Sequence, residues 1–313
     1  MNKLKFYVCR EMYDFFYQNP PVGVVRAIGE DTVDYLQSQW SVDLQKLKIG
    51  CSRFGLRLNT RGKILAGAYL LKLGEEEVLL VSRGHNGNDL VSILEENVVA
   101  DEVEFHDESE VWKSGTLCIA DIDTIKKITG SIDSSSGEFI KIEDGIVFSD
   151  QRFSEHALIL LMKKNSSFPN PDPIKIKEIS DEEYNCLRIR AKCYEIPLEL
   201  GLEELPQEGN MENRSVDFDK GCYLGQEVMA RLHAMGQVQR KMVSVQWGQD
   251  HTFAPNLPMP ILMESKKVGL LKSLYKDRDK WVGSAIIHQK AMNQLKENGL
   301  ALEDNGFGKV HWL

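Results

Sequence analysis

Short alternating apolar runs, and not long helical periods, limit what this chain can fold into. Val22–Ile28 (VGVVRAI) is an apolar run of strand length. Arg53–Asn59 alternates, with Phe54, Leu56 and Leu58 on one side. Thr60-Arg61-Gly62 then reads as a turn and Lys63–Leu73 as a second strand, so the two form a hairpin-like pair. Glu77–Ser82, Val103–Phe105 and Leu117–Ile119 add further short strands. Few helices interleave. One starts at Thr32, with Asp31 as N-cap and Val33, Leu36 and Trp40 at helical spacing. Others are expected over Asp89–Glu96, over Asp181–Cys193 with Asp181 as N-cap, and over Gly225–Ala234. Pro197 and Pro206 interrupt helix between the last two. After Arg240 only short alternating strands remain: Val243–Trp247, Lys267–Leu271 and Trp281–Ile287. This pattern predicts an α+β chain with a boundary near 241. Residues 1–240 form the larger region and 241–313 a small antiparallel β-domain. Ser131–Gly137 reads as a loop, and residues 165–173, with three prolines, as a linker.

A length of 313 residues suggests about two domains. The longest apolar run near the middle, Ala157–Met162, is far short of the ~20 residues of a membrane helix. Near the N-terminus, Lys3, Lys5 and the run Phe6–Cys9, broken by Arg10 and Glu11, do not make a signal peptide. Six cysteines lie at 9, 51, 118, 186, 193 and 222. None is spaced Cys-x-x-Cys, so no metal site is expected. Scattered thiols in a chain of this size read as reduced, in a cytoplasmic compartment, and each is in the first instance a small buried hydrophobe. The formal charge is −9. Phosphate repels such a chain on average, so neither nucleic acid nor an anionic membrane is an expected partner. Residues 95–110 hold eight acids and no Lys or Arg, and read as a solvated surface.

No dinucleotide fingerprint, phosphate loop, nucleophile elbow or zinc-protease helix is written in the chain. Asp217–Arg231 (DFDKGCYLGQEVMAR) stands out instead. Gly221 and Gly225 flank Cys222 and allow a tight turn that feeds a helix N-terminus, where negative charge is favoured. A thiol there, beside Lys220, is expected to ionise more readily. Glu227 and Arg231 are four apart and can pair. Lys220, Arg231, Arg240 and Lys241 against Glu227 leave residues 220–241 at +3, inside a remainder of −12. Such a patch suits a carboxylate- or phosphate-bearing ligand. On the residues alone, Cys222 is as well read as a packing residue in a glycine-rich turn.

Lys220–Glu227 (KGCYLGQE) resembles the K-G-C-Y-x-G-Q-E signature of the YgfZ family, folate-binding relatives of the glycine-cleavage T-protein, an aminomethyltransferase. Gly29–Gln37 is similar to the family's G-x-D-x-x-x-F-L-Q helix, with Tyr35 for Phe, and Ser41-Val42-Asp43 stands where T-x-D is usual. Leu58–Ala66 resembles its hairpin, Asp101–Ser109 its acidic strand, and Arg188–Glu208 its stretch ending L-P-Q-E, although Lys192 or Cys193 replaces a usual Gly. The resemblance implies three subdomains in a ring around a folate-sized central channel, the last a small antiparallel β-barrel. It implies that Glu208 contacts the pterin of tetrahydrofolate, that Arg231 holds the glutamate tail or steadies the motif, and that Asp43 lines the cavity or caps a turn. It makes Cys222 the functional thiol, with Lys220, Gly221, Tyr223, Gly225, Gln226 and Glu227 as its motif. The implied function is a folate-dependent factor for assembly or repair of iron–sulfur proteins, acting on tRNA modification indirectly. The alternative is a folate-dependent aminomethyl (one-carbon) transferase. The T-protein usually has an F-I-G-type run without cysteine at the motif, which argues against a plain aminomethyltransferase.

Overall fold

The structure is a computed structural model and describes residues 14–20, 22–119, 121, 137–154, 156–169, 176–248, 254–303 and 307–313. The N-terminal residues discussed above, 131–136 of the expected loop and 170–173 of the expected linker lie outside them.

The chain runs β1 (Phe15–Gln18), β2 (Gly23–Ile28), α1 (Thr32–Gln39), β3 (Ser52–Leu58), β4 (Ile64–Lys72) and β5 (Glu77–Ser82). Next come α2 (Gly87–Glu95), β6 (Glu104–Asp107), β7 (Trp112–Cys118), β8 (Phe139–Ile142), β9 (Gly145–Ser149), β10 (Ala157–Lys163) and β11 (Lys177–Glu178). Three helices follow, α3 (Asp181–Arg190), α4 (Glu212–Ser215) and α5 (Gln226–Met235). The last part holds β12 (Arg240–Trp247), β13 (Met259–Met263), β14 (Lys266–Asp277), β15 (Lys280–His288), α6 (Met292–Glu297), β16 (Leu300–Leu302) and β17 (Lys309–Trp312).

Three sheets result. The first, β3-β4-β5-β2-β6, is antiparallel. The second is β11-β1-β7-β10-β9-β8, with β11 parallel to β1. The third is a closed antiparallel barrel, β12-β15-β14-β13-β16-β17. Side chains alternate across a strand, and the first sheet buries both sets. Phe54, Leu56, Leu58, Tyr69, Leu79 and Val81 meet Phe148, Ile159 and Leu161 of the second sheet and Met242, Val282 and Ile286 of the barrel. On the other face Ala66, Ala68, Leu70, Val78 and Leu80 lie with Leu36, Leu90 and Leu94 of α1 and α2. The mixed fold with a terminal barrel therefore has one core shared by all three parts.

Helix ends differ from the sequence expectation where another group competes for the cap. Asp31 makes no side-chain cap to α1; its Oδ2 accepts from the Glu102 amide at 2.7 Å. Trp40 ends α1 in extended backbone and bridges to Arg57. Ser180, not Asp181, caps α3, in a reciprocal capping box with Glu183. That helix stops at Arg190, because Lys192 turns into the left-handed region (φ 57°). The acidic run is not uniformly solvated either. Glu108 is part-buried and takes both Arg26 (Nε at 2.5 Å, Nη2 at 3.0 Å) and the Trp112 indole (3.0 Å).

One buried ion pair joins the parts. Arg188 of α3 and Glu199 are 1% and 0% exposed, with Nη1 and Oε2 2.6 Å apart. The remaining donors and acceptors are also engaged. Arg188 gives Nε to Asn185 (2.6 Å) and Nη2 to the Tyr275 hydroxyl of β14 (2.7 Å). Glu199 accepts from Ser273 of β14 (2.6 Å) and from the Glu195 amide (2.7 Å). Replacing Glu199 by Ala leaves the guanidinium buried without its counter-charge, which costs roughly 3–5 kcal/mol. Urea unfolding of Glu199→Ala should show that loss. A double Arg188→Met, Glu199→Leu variant should lose less, because no lone charge stays buried.

Candidate functional site

The Phe218–Gly225 loop is pinned across the end of α1. The Lys220 ammonium is buried and donates to the carbonyls of Gln37 (2.7 Å), Trp40 (2.6 Å) and Val42 (2.7 Å). These oxygens lie at and just beyond the helix C-terminus, where carbonyls lack intrahelical partners and cations are favoured. This corrects the expected role of Lys220. Its three protons go to carbonyls, and its charge sits over the Tyr223 ring (5.1 Å) rather than serving the thiol. Burial pulls this ammonium down to about 8, against the opposing pull of Asp43 and Asp217. Tyr223 enters the shared core, and the Leu224 amide bonds Ser38 O at 3.1 Å. Gly225 has φ 84°, and a Cβ there would sit 2.6 Å from Asn59 O, so only glycine fits. Gly221 meets neither limit. Gln226 begins α5, four residues past Cys222.

Cys222 is exposed, whereas Cys51, Cys118, Cys186 and Cys193 are buried. Burial pushes those thiols up, to about 12 for Cys118 and Cys186 and about 11 for Cys193, so they are inert at neutral pH. Glu227 and Arg231 both point to solvent and form no ion pair, since an exposed pair one turn apart gains little. The basic patch is also dispersed. Lys220 is buried under carbonyls, and Arg240 gives Nε and Nη2 to the two oxygens of Glu208 (2.8 and 3.1 Å). Glu208 is itself 4% exposed and accepts the Leu205 amide (2.9 Å). It ties the turn Pro206–Gly209 to the first barrel residue.

Beside the loop lies a cavity of about 540 Å3, lined by Asp43, Lys46, Arg53, Asp217, Phe218 and His233 among others. Asp217 bridges Arg53 (2.7 Å) and the Asp43 amide (2.8 Å). Asp43 both lines this cavity and caps a turn, accepting the Lys46 amide (3.1 Å), Lys46 Nζ (2.9 Å) and Gln37 (3.2 Å). Partial burial raises its carboxyl, but these bonds outweigh it and hold the group below its ordinary value.

A second cavity, of about 450 Å3, lies where the sheets, α3 and the barrel meet. Sequence reasoning did not find it. Tyr17 and Tyr184 stack at 4.0 Å, Arg83 lies over the Tyr184 ring at 4.8 Å, and Tyr275 and Glu195 complete that wall. Arg83 is nine-tenths buried and stands 3.5 Å from Asp150 and 3.6 Å from Glu195. The Tyr184 hydroxyl is buried without a hydrogen-bond partner. Neither Cys222, Glu208 nor Arg231 lines either cavity. Among the described residues no cluster of His, Cys, Asp and Glu is arranged to hold a metal, and no helix is long and apolar enough to cross a membrane.

No protein-family model matches the chain. The chain is 23% identical over 238 residues to the tRNA-modifying protein YgfZ of Blochmanniella pennsylvanica, covering 75% of this chain and 72% of that one. It is 32% identical over 107 residues to the mitochondrial iron-sulfur cluster assembly factor IBA57 homolog of Coccidioides immitis, 34% of this chain and 25% of that one. Its fold matches the crystal structure of glycine cleavage system aminomethyltransferase T from Bartonella henselae, with TM-score 0.72 and 14% identity over 96% of this chain and 86% of that one. The chain is similar in sequence to YgfZ proteins and has the fold of aminomethyltransferase T.

Lys220→Met should cost about 3 kcal/mol, since three carbonyls lose one shared donor in a buried place. The loss should grow with pH. The folded-state value, about 8, lies below the ordinary lysine value of 10.5, so between these the unfolded chain binds more protons. Lys220 therefore adds stability as pH rises through that window, and the methionine variant lacks that gain. Paired urea titrations at pH 7 and pH 10 check this.

Proposed function

We propose that this chain binds a tetrahydrofolate and supports the assembly or repair of iron–sulfur proteins, with Cys222 as its working thiol. Effects on tRNA modification then follow through cluster-dependent enzymes, not from contact with tRNA. The observation that carries the reading is Cys222 itself, exposed on a loop that Lys220 and Gly225 hold rigidly against the first sheet. A thiol kept for packing has no use for such display. The names of the YgfZ and IBA57 relatives point the same way. Unpaired, buried thiols elsewhere suit a reducing cytoplasm.

The 450 Å3 cavity suits a folate. Its volume falls in the range of roughly 300–1,000 Å3 usual for small-molecule sites. Tyr275, Pro197 and Leu198 supply apolar surface for a pterin, Glu195 an acceptor for its N–H groups, and Arg83 a cation for the glutamate carboxylate. Bound tetrahydrofolate would supply a carrier for one-carbon units. Glu208, whose oxygens hold Arg240, acts instead by fixing the barrel next to the motif.

Calorimetry with tetrahydrofolate should show binding that Arg83→Gln weakens tenfold or more. No binding by the unaltered chain removes folate from the reading. In a strain lacking its own YgfZ-type protein, the unaltered chain should restore a cluster-dependent enzyme and Cys222→Ser should not, at equal protein level. Full restoration by Cys222→Ser removes the thiol from the mechanism. Formation of methylene-tetrahydrofolate from an aminomethyl donor would favour one-carbon transfer instead.

A further inference from the structure

We propose that the 450 Å3 cavity selects a folate carrying a single glutamate over one carrying a polyglutamate tail. The inference rests on the folate reading above and adds the form of the ligand. The charged residues in the cavity wall are Arg83, Arg188, Asp181 and Glu195. Arg188 is fully engaged, since its guanidinium binds Glu199, Asn185 and the Tyr275 hydroxyl. Among the described residues of the wall, Arg83 is therefore the cation left for a ligand carboxylate. Its contacts with Asp150 (3.5 Å) and Glu195 (3.6 Å) are longer than the roughly 2.7–2.9 Å of a tight charged hydrogen bond, so its donors can still take one.

Arg83 also lies deep. Its side chain is nine-tenths buried, with the Tyr184 ring 4.8 Å away and with Asp150 fixed beside it by the Tyr69 hydroxyl. A glutamate whose α-carboxylate sits on Arg83 is thus inside the cavity. The next residues of a polyglutamate join through the side-chain carboxyl. Each must turn back from Arg83 and run out over the rim.

The rim does not suit them. Its exposed residues include Pro20, Pro197 and Leu198, and its exposed charge is Asp181. Leu198 is 56% exposed, and Leu202, four residues on, is 62% exposed. Asp181 opens α3, whose first turn also carries Glu182 and Glu183. Lys177 pairs with Glu183 at 2.6 Å. Every added glutamate brings one more carboxylate, ionised at neutral pH. It meets a border that is apolar on one side and acidic on the other. Like charges repel there, and a carboxylate against leucine loses hydration without gaining a partner. The effect is a few-fold one, because salt screens charges at a surface.

Calorimetry on the full chain compares tetrahydrofolate with its penta-γ-glutamyl form, at low and at physiological salt. The pentaglutamate is expected to bind about threefold or more weakly, with the gap narrowing as salt rises. Asp181→Asn keeps an acceptor for the Tyr17 hydroxyl and removes the rim charge, so the gap should narrow there too. Leu198→Lys, which places a cation on the rim, should close the gap and keeps the test readable if Asp181→Asn fails to fold. Equal or tighter binding of the pentaglutamate by the unaltered chain overturns the proposal and leaves the folate reading in place. Binding of neither form removes the folate reading, and this proposal with it.

Discussion

The joint between the barrel and the rest of the molecule has a buried polar part beside its apolar core, and that part must be complete to be tolerated. Arg188 and Glu199 have almost no contact with water. Desolvating both charges costs several kcal/mol each, and only mutual attraction with full hydrogen bonding offsets that. Asn185, Tyr275, Ser273 and the Glu195 amide provide it, from α3, from the following turn and from β14. Apolar contacts in the shared core are non-directional and tolerate sliding. The ion pair is directional, so it fixes where the barrel sits. The 450 Å3 cavity depends on that position, since Tyr275 and Arg188 belong to its wall.

A similar device works at smaller scale in the motif loop. A lysine ammonium takes three carbonyls at the end of α1, and a left-handed glycine lets the backbone pass Asn59. Between these two anchors the chain leaves Cys222 in solvent. The other residues of the signature are therefore largely structural. Lys220, Tyr223 and Gly225 hold the loop, and the Cys222 thiol is exposed between them.

Much of the fold was legible from periodicity. The hairpin β3–β4, strands β2 and β5, helix α3 and the change of pattern at Arg240 all follow from which positions are apolar. Helix ends were less legible, because a cap is decided by competition. Asp31 has the right chemistry for an N-cap, yet the Glu102 amide, 71 residues on, claims its carboxylate. The acidic run hid Glu108 in the same way, since Arg26 lies far from it in sequence and close in the sheet.

The sequence by itself determined the strand-rich mixed fold and the glycine turn at Gly225 that leads into α5. Those depend on local spacing and on residue types that short stretches of chain can specify. Only tertiary structure decided what the charges do. Lys220 meets carbonyls about 180 residues away, Glu208 meets Arg240, and Arg83 meets Tyr184 and Glu195. A charge in sequence has a sign but no partner, and in a folded interior its effect depends on the partner and on the water excluded around both. The two cavities arise in that way, from side chains that no single segment contains.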